Sequence, residues 1–217
     1  MLRWTAFLVF ASQAWIHFFW GAPFHALLRN EALLAPWAGS LLNQSGEEFD
    51  AGADAAIPHV VRGFGIFYGL CAVAAWTARP GRPAQMILLG LGSLALASLA
   101  FLKFLDHDLE SPQLIEHTAV WSTPLLLVAA LSSGRDAAHL PVPALTLALK
   151  VAVALAFTGH GFYAAGILPV PDSFITMTTQ CLGLSEPAAR LFLQVAGYLD
   201  FAVAIGIFLP RASVLFL

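Results

Sequence analysis

Long apolar runs separated by short polar breaks dominate the chain. Crossing a bilayer as a helix takes about 20 mostly apolar residues. Six stretches qualify: 4–21, 58–78, 84–104, 114–132, 143–164 and 188–209. The breaks contain Pro, Gly or charged residues, and the runs lack the alternating polarity of barrel strands. The pattern predicts an all-α polytopic membrane bundle, with residues 1–217 as a single transmembrane domain.

Composition agrees with a membrane location. Hydrophobic residues make up 59% and charged residues 11% of the 217 positions, and the mean hydropathy is +0.78. No clear signal-peptide cleavage site follows the first span, so we expect that span to be retained. Cys71 and Cys181 have no metal-ligand spacing and indicate no disulfide framework.

Two longer segments, 22–57 and 166–187, separate spans at one face of the membrane. In the first, FHALLRNEALLAPWAGSLL predicts an interfacial helix, and the acidic run GEEFDAGADA predicts an exposed loop. In the second, ITMTTQCLGLSEP predicts a short re-entrant or surface-lying helix capped at Ser185. The ending RASVLFL reads like the opening of another span, so either the protein has six helices or the sequence is incomplete.

Charge is divided unequally between the two faces. The side on which the chain starts collects basic residues against the single acid Asp136: Arg3, Arg79, Arg82, Arg135, Lys150 and Arg211. The other side receives most acids: Glu31, Glu47, Glu48, Asp50, Asp54, Asp106, Asp108, Glu110, Glu116, Asp172 and Glu186. The excess of Lys and Arg predicts a multi-pass protein of the inner (plasma) membrane, with a cytoplasmic N-terminus and an acidic extracytoplasmic face.

Histidines follow the acids to the extracytoplasmic face. Only His139 lies on the other side; the remaining histidines are His17, His25, His59, His107, His117 and His160. The stretch from Asp106 to His117 alone holds four acids and two histidines, in DHD and EH groups that flank a short loop. These groups are predicted to form half of a site.

A short similarity suggests an internal repeat. WIHFFWG (15–21) resembles TGHGFYAAG (158–166), and each is followed by an outer segment and a glycine-bearing span. Spans 1 and 2 would then correspond to spans 5 and 6 as a parallel duplication, which would place His17 and His160 in equivalent positions.

The second half also resembles a known family. KVAVALAFTGHGFYAAG, followed by LGLSEPAARLFLQVAGYLDFAVAIGIFLP, is similar to the first two helices of DoxX-like membrane proteins, and the resemblance covers about 60 residues. Gly197 and Asp200 match the glycine and the acid of the family's second helix, whereas Phe24 and His25 have no counterpart. The family's proteins have four helices, and one branch resembles a subunit of thiosulfate:quinone oxidoreductase, which implies quinone chemistry near the outer face.

The residue types near the outer face suit redox chemistry. Imidazole binds copper, zinc or haem iron, and neighbouring carboxylates can orient the ring. Because HxxxH and HExxH spacings are absent, a metal site would be assembled between helices, with His17, His59, His117 and His160 as ligands. His17 and His160 are also the candidate cofactor ligands. The alternative is that such residues solvate helix ends or pair structurally.

Two charged residues fall inside predicted spans, where an unpaired charge is costly. Arg62 lies a turn inside the second span, and Asp200 lies near the middle of the sixth. With Glu116 and Asp106, they are the candidate catalytic residues: the carboxylates would relay protons, and Arg62 would hold an anionic head group or pair with Asp200. A purely structural Arg–Asp pair is the alternative.

Three functions remain open from the sequence. The first is a DoxX-like oxidoreductase component holding a quinone, haem or copper; the second is a non-catalytic subunit of a larger membrane complex or a homo-oligomer; the third is a transporter module. Phosphate-binding loops, a serine triad and a basic nucleic-acid patch are absent from the sequence, so the expected surroundings are lipid and membrane partners and not nucleic acid.

Overall fold

Helices account for nearly all of the chain that the structure describes. The computed structural model describes residues 2–21, 46–106, 111–132 and 142–209, except the side chains of 46–56, 105–106 and 142. Within these ranges there are no strands, and the helices are α1 (Leu2–Phe19), α2 (Gly46–Thr77), α3 (Pro83–Asp106), α4 (Ser111–Glu116), α5 (Thr118–Ser132), α6 (Val142–Ala164), α7 (Asp172–Leu182) and α8 (Glu186–Gly206). The predicted all-α fold is confirmed.

Four helices have the length and apolarity needed to cross a membrane. Their apolar parts are Ile57–Thr77, Pro83–Phe104, Pro143–Ala164 and Glu186–Gly206, and Thr118–Ser132 is a shorter apolar helix. Large apolar side chains on these helices point outward, including Ile66, Leu94 and Ile205, each more than half exposed. Such a surface fits lipid and not water, so the chain is a membrane protein.

The helices pack as two pairs joined by a central unit. α1 packs along α2, and α6 packs along α8, while α3 and α5 lie between the pairs and α5 contacts α1, α3 and α6. The main core lies among α1, α2, α3 and α5, where Phe10 stacks on Tyr68 with ring centroids 6.2 Å apart. α8 has fewer neighbours and packs mainly on α6 and α7.

Polar side chains and glycine define where the helices end. Between α2 and α3, the Gln85 amide accepts from the Arg79 N–H at 3.1 Å and donates to the Thr77 carbonyl at 3.3 Å, which ties the turn together. α6 ends at Ala164, and Gly166, two residues later, has a φ of 74°, the left-handed conformation common after a helix C-terminus. The Ile167 N–H then donates to the Phe162 carbonyl at 3.1 Å, closing the last turn.

The structure corrects three predicted boundaries. The acidic run predicted as a loop forms the first turns of α2, and Glu47 and Glu48 there occupy first-turn positions that favour acids. The predicted span 114–132 is broken at His117 into α4 and α5. Ser185 is the N-cap of α8 and does not end α7, which stops at the left-handed Gly183.

Several predictions lie outside the described residues. They include the interfacial helix within 22–45, the ending RASVLFL, and the residues His25, His107, Asp108, Glu110, Arg135, Asp136, His139 and Arg211. Asp106 is the last residue of α3, and its side chain is also outside the description.

A matched pair of glycines in α3 tests the core packing. A Cβ at Gly92 would lie 2.7 Å from the Phe10 ring and 2.8 Å from the Cys71 Sγ, whereas a Cβ at Gly90 would meet nothing within 4 Å. We expect Gly92→Ala to lower the free energy of unfolding by about 1–3 kcal/mol through overpacking. Gly90→Ala should be neutral or stabilising by up to about 1 kcal/mol. Thermal and denaturant unfolding in detergent, followed by circular dichroism, would show this; equal effects of both changes would contradict the packing.

Candidate functional site

A histidine and an aspartate from different helices form a close ionisable pair. Nδ1 of His160, on α6, lies 2.6 Å from Oδ2 of Asp200, on α8. The Asp200 side chain is 15% exposed and that of His160 is 39% exposed, so the acid lies behind the imidazole. The ring of Phe174, on α7, stacks on His160 with centroids 5.0 Å apart. Three helices therefore fix the position of this imidazole.

Glycines let α6 and α8 approach closely enough to form the pair. A Cβ at Gly197 would lie only 2.2 Å from the Ala165 backbone nitrogen, and a Cβ at Gly161 would lie 3.1 Å from the Gly197 carbonyl oxygen. Small residues at such crossings are typical of membrane helices. Asp200 follows Gly197 by three residues, so it emerges on the same face of α8, opposite His160.

The glycine on the other side of His160 packs against a different element. A Cβ at Gly159 would lie 2.5 Å from the Glu116 backbone nitrogen and 2.7 Å from the Pro112 carbonyl oxygen. The motif Gly159-His160-Gly161 thus places its histidine between α4 and α8. It also brings the α4 backbone at Glu116 next to the first pair.

A second polar group lies beside α4. Lys103 Nζ, near the end of α3, lies 2.9 Å from Nε2 of His117, and Nδ1 of His117 lies 3.0 Å from the Gln113 carbonyl oxygen. The Glu116 carboxylate is close enough to attract the Lys103 ammonium electrostatically. This group, Lys103, His117 and Glu116, joins α3 to the α4–α5 break, and it sits where the chain turns at His117.

The hydrogen bonds indicate the same tautomer in three histidines. Nδ1 of His17 lies 2.7 Å from the Gln13 carbonyl oxygen, as Nδ1 of His117 contacts Gln113 and Nδ1 of His160 contacts the Asp200 carboxylate. A carbonyl oxygen only accepts, and an ionised carboxylate likewise, so each Nδ1 carries the hydrogen. Nε2 then has the lone pair in the neutral ring. In His117 it accepts from the Lys103 ammonium, whereas in His160 it is available to a proton or another ligand.

His17 occupies a separate place, between α1 and α2. Its side chain is 2% exposed, and its ring meets that of Tyr68 edge-on at 5.1 Å. A small cavity of about 240 Å³ lies beside it and is also lined by Val61 and Arg62. Arg62 thus lines a cavity beside His17, whereas Asp200 pairs with His160. The predicted Arg62–Asp200 pair is not formed.

Depth along the helices places these groups at one end of the bundle. His160 lies 18 residues after Val142 and Lys103 lies 20 residues after Pro83. At a rise of ~1.5 Å per residue, these positions are roughly 27–30 Å from the end marked by the α2–α3 turn. Ser132, which ends α5, hydrogen-bonds to Met86 near the start of α3, so α5 returns to that first end.

The predicted metal ligands do not assemble into a site within the described residues. No group of three His, Cys, Asp or Glu side chains there could hold an ion. His59 is exposed on α2, and His17, His117 and His160 have the separate surroundings given above. The sequence identified His160, Asp200 and Glu116 but missed Lys103 and Phe174. The position of Lys103 in the last turn of an apolar helix could have indicated its role. Nothing in the sequence around Phe174 indicated that it packs on His160.

Comparison of the chain with models of protein families, with curated proteins and with solved structures found no match.

The tautomer of His160 can be tested by changing its acceptor. In protein labelled with ¹⁵N-histidine, we expect the neutral His160 ring to carry its hydrogen on Nδ1. Asp200→Asn keeps a side-chain oxygen that can accept, so the tautomer should persist; Asp200→Leu removes it, so the Nε2–H form should rise. Nitrogen chemical shifts measured by NMR distinguish the forms, and the His17 signals serve as an internal control. An Nε2–H ring in the unsubstituted protein would contradict the arrangement.

The contact between Lys103 and His117 can be measured by a double-mutant cycle. Lys103→Met and His117→Leu should show a coupling free energy of about 1 kcal/mol or more in denaturant unfolding, because the two side chains bond directly. Lys150→Met, which removes a distant lysine, should combine additively with His117→Leu to within about 0.5 kcal/mol. Additivity in both cycles would mean that the Lys103–His117 bond contributes nothing to the free energy of unfolding.

Proposed function

We propose that this chain is a quinone-linked component of a membrane oxidoreductase, and that the His160–Asp200 pair exchanges a proton with the quinone head group. The observation that carries this proposal is the pair itself: a partly exposed imidazole, backed by a carboxylate and stacked on Phe174, at one end of an apolar bundle. A lipid-soluble substrate reaches such a position from the bilayer. A charged, water-soluble one has no comparable route through lipid.

The pair has the chemistry that quinol oxidation requires. A quinol that becomes a quinone releases two electrons and two protons. Nε2 of neutral His160 would take one proton from a quinol hydroxyl, and the Asp200 carboxylate would stabilise the resulting imidazolium through Nδ1–H. The second proton would pass to water at the outer face. The electrons would go to a redox partner, so the chain would work within a larger complex.

The group of Lys103, His117 and Glu116 supports the same location. It lies near the pair, because the α4 backbone at Glu116 packs against Gly159, the residue before His160. Its charges are held by one another, as groups near lipid require. We assign Glu116 to this group as a proton acceptor beside the site, and Arg62 to the separate cavity beside His17. Arg62 has no role in the reaction we propose.

We further infer six crossings, a cytoplasmic N-terminus and the parallel repeat. One correspondence supports the repeat: in each half, a histidine near the end of one helix meets the next long helix three residues beyond a closely packed glycine. His17 meets Tyr68 after Gly65, and His160 meets Asp200 after Gly197. The DoxX-like resemblance points to the same two positions of α8, which supports kinship with that family.

An accessory role is the second candidate. One observation favours it: a row of exposed apolar side chains on the face of α8 away from α6, including Leu191, Val195 and Tyr198. That face contacts lipid in an isolated protein. In a larger assembly it would be available to a second membrane subunit.

Binding of a short-chain quinol such as decylubiquinol, kept reduced, tests the proposal. We expect the quinol to stabilise the purified protein against thermal unfolding, and His160→Asn to weaken binding by roughly tenfold, as expected for loss of the hydrogen bond from the quinol hydroxyl to Nε2. Asp200→Asn should weaken it less. His59→Ala, at an exposed position on α2, is the matched control and should bind within about twofold of the unsubstituted protein, given ~0.5 kcal/mol for surface changes.

Other outcomes would identify the alternatives. Absence of quinol binding to the unsubstituted protein would refute the proposal. Stoichiometric copper or haem lost on His17→Ala and His160→Ala would favour a metal centre instead. An intact, active parent complex after both changes would favour the accessory role.

A further inference from the structure

The end of the bundle opposite the candidate site contains a large crevice. It measures about 880 Å³ and opens between α1, the end of α2, the end of α5 and the first half of α6. Arg3, Trp4 and Trp76 line one part of it, and Leu127, Leu131 and Leu149 line another. A cation and indole rings therefore adjoin a leucine surface, which is the arrangement of a membrane interface.

A second cation faces an adjoining cavity. That cavity, of about 360 Å³, shares Leu2 and Leu149 with the first and is lined by Lys150, Thr5 and Ile207. Lys150 lies eight residues after Val142, so its Cα is about 12 Å along α6 from that end. The two cavities thus bring one cation each to the region lined by Leu2 and Leu149.

The positive charge of this crevice is not balanced by the described part of the protein. The ion pairs there involve other residues, and no carboxylate among the described side chains lies within ion-pair distance of Arg3 or Lys150. Arg79 and Arg82, in the nearby turn, add exposed positive charge at the same end. Cations gathered near lipid at one end of a bundle favour an anionic occupant.

We propose that this crevice binds an anionic phospholipid of the leaflet on the side where the chain starts. Its phosphate oxygens would bind the Arg3 guanidinium, which suits phosphate geometry, and Lys150 would attract the remaining negative charge. One acyl chain would lie against Leu149 and the exposed rings of Trp4 and Trp76. The proposal is independent of quinone chemistry at the other end of the bundle.

Lipid-dependent stability of the full chain tests the proposal. We expect dioleoylphosphatidylglycerol to raise the unfolding temperature in detergent at lower concentration than dioleoylphosphatidylcholine does. Arg3→Gln and Lys150→Gln should each weaken the phosphatidylglycerol effect ~5-fold, and the double variant ~30-fold, taking ~1 kcal/mol per cation. The matched control, Arg79→Gln with Arg82→Gln, removes two cations that line neither cavity and should retain the preference for phosphatidylglycerol.

Two further measurements test whether the crevice itself is needed and whether the ligand must carry an acyl chain. Leu149→Trp keeps both cations but fills the leucine surface, so it should reduce the effect of the lipid. Glycerol phosphate, which has no acyl chain, should give little stabilisation. Equal effects of the two lipids on the unsubstituted protein, an unchanged preference in the double variant, or full stabilisation by glycerol phosphate would each overturn the proposal.

Discussion

The close crossing of α6 and α8 is the constraint on which the candidate site depends. Lipid offers no hydrogen bonds, so a carboxylate carried by a membrane helix needs a partner from within the protein. The Gly197 backbone, packed against Ala165, brings Asp200 within 2.6 Å of His160. A larger side chain at this crossing would separate the helices and leave both ionisable groups without the contact that makes their burial tolerable.

The same requirement explains the other polar groups of the bundle. His17 and His117 each direct Nδ1 to the carbonyl oxygen of a glutamine one helical turn earlier, which orients the ring from its own segment of the chain. His160 instead directs Nδ1 to an acid from another helix, and it is partly exposed, whereas His17 is buried. A histidine held locally suits a structural role, whereas one held across a helix interface with its other nitrogen reachable suits chemistry.

Hydropathy predicted most of the fold because long apolar runs have few alternatives to helix. It failed where local chemistry overrides the average: the acidic run before Ile57 is helical, and the span around His117 is broken. His160 and Asp200 could be selected from the sequence because they are ionisable residues within predicted membrane spans. Their pairing could not be predicted, because it depends on the rotation and stagger of α6 against α8, which the spacing of apolar residues leaves undetermined.

The tied turn between α2 and α3 has a consequence for biogenesis. Gln85 accepts from the Arg79 backbone N–H and donates to the carbonyl and hydroxyl oxygens of Thr77, so the polar ends of the turn are bonded within the chain itself. The adjoining helices provide two long apolar segments directly connected by this short turn. They can therefore leave the translocation machinery together as a helical hairpin, and the remaining helices can assemble on a pair that is already in the bilayer.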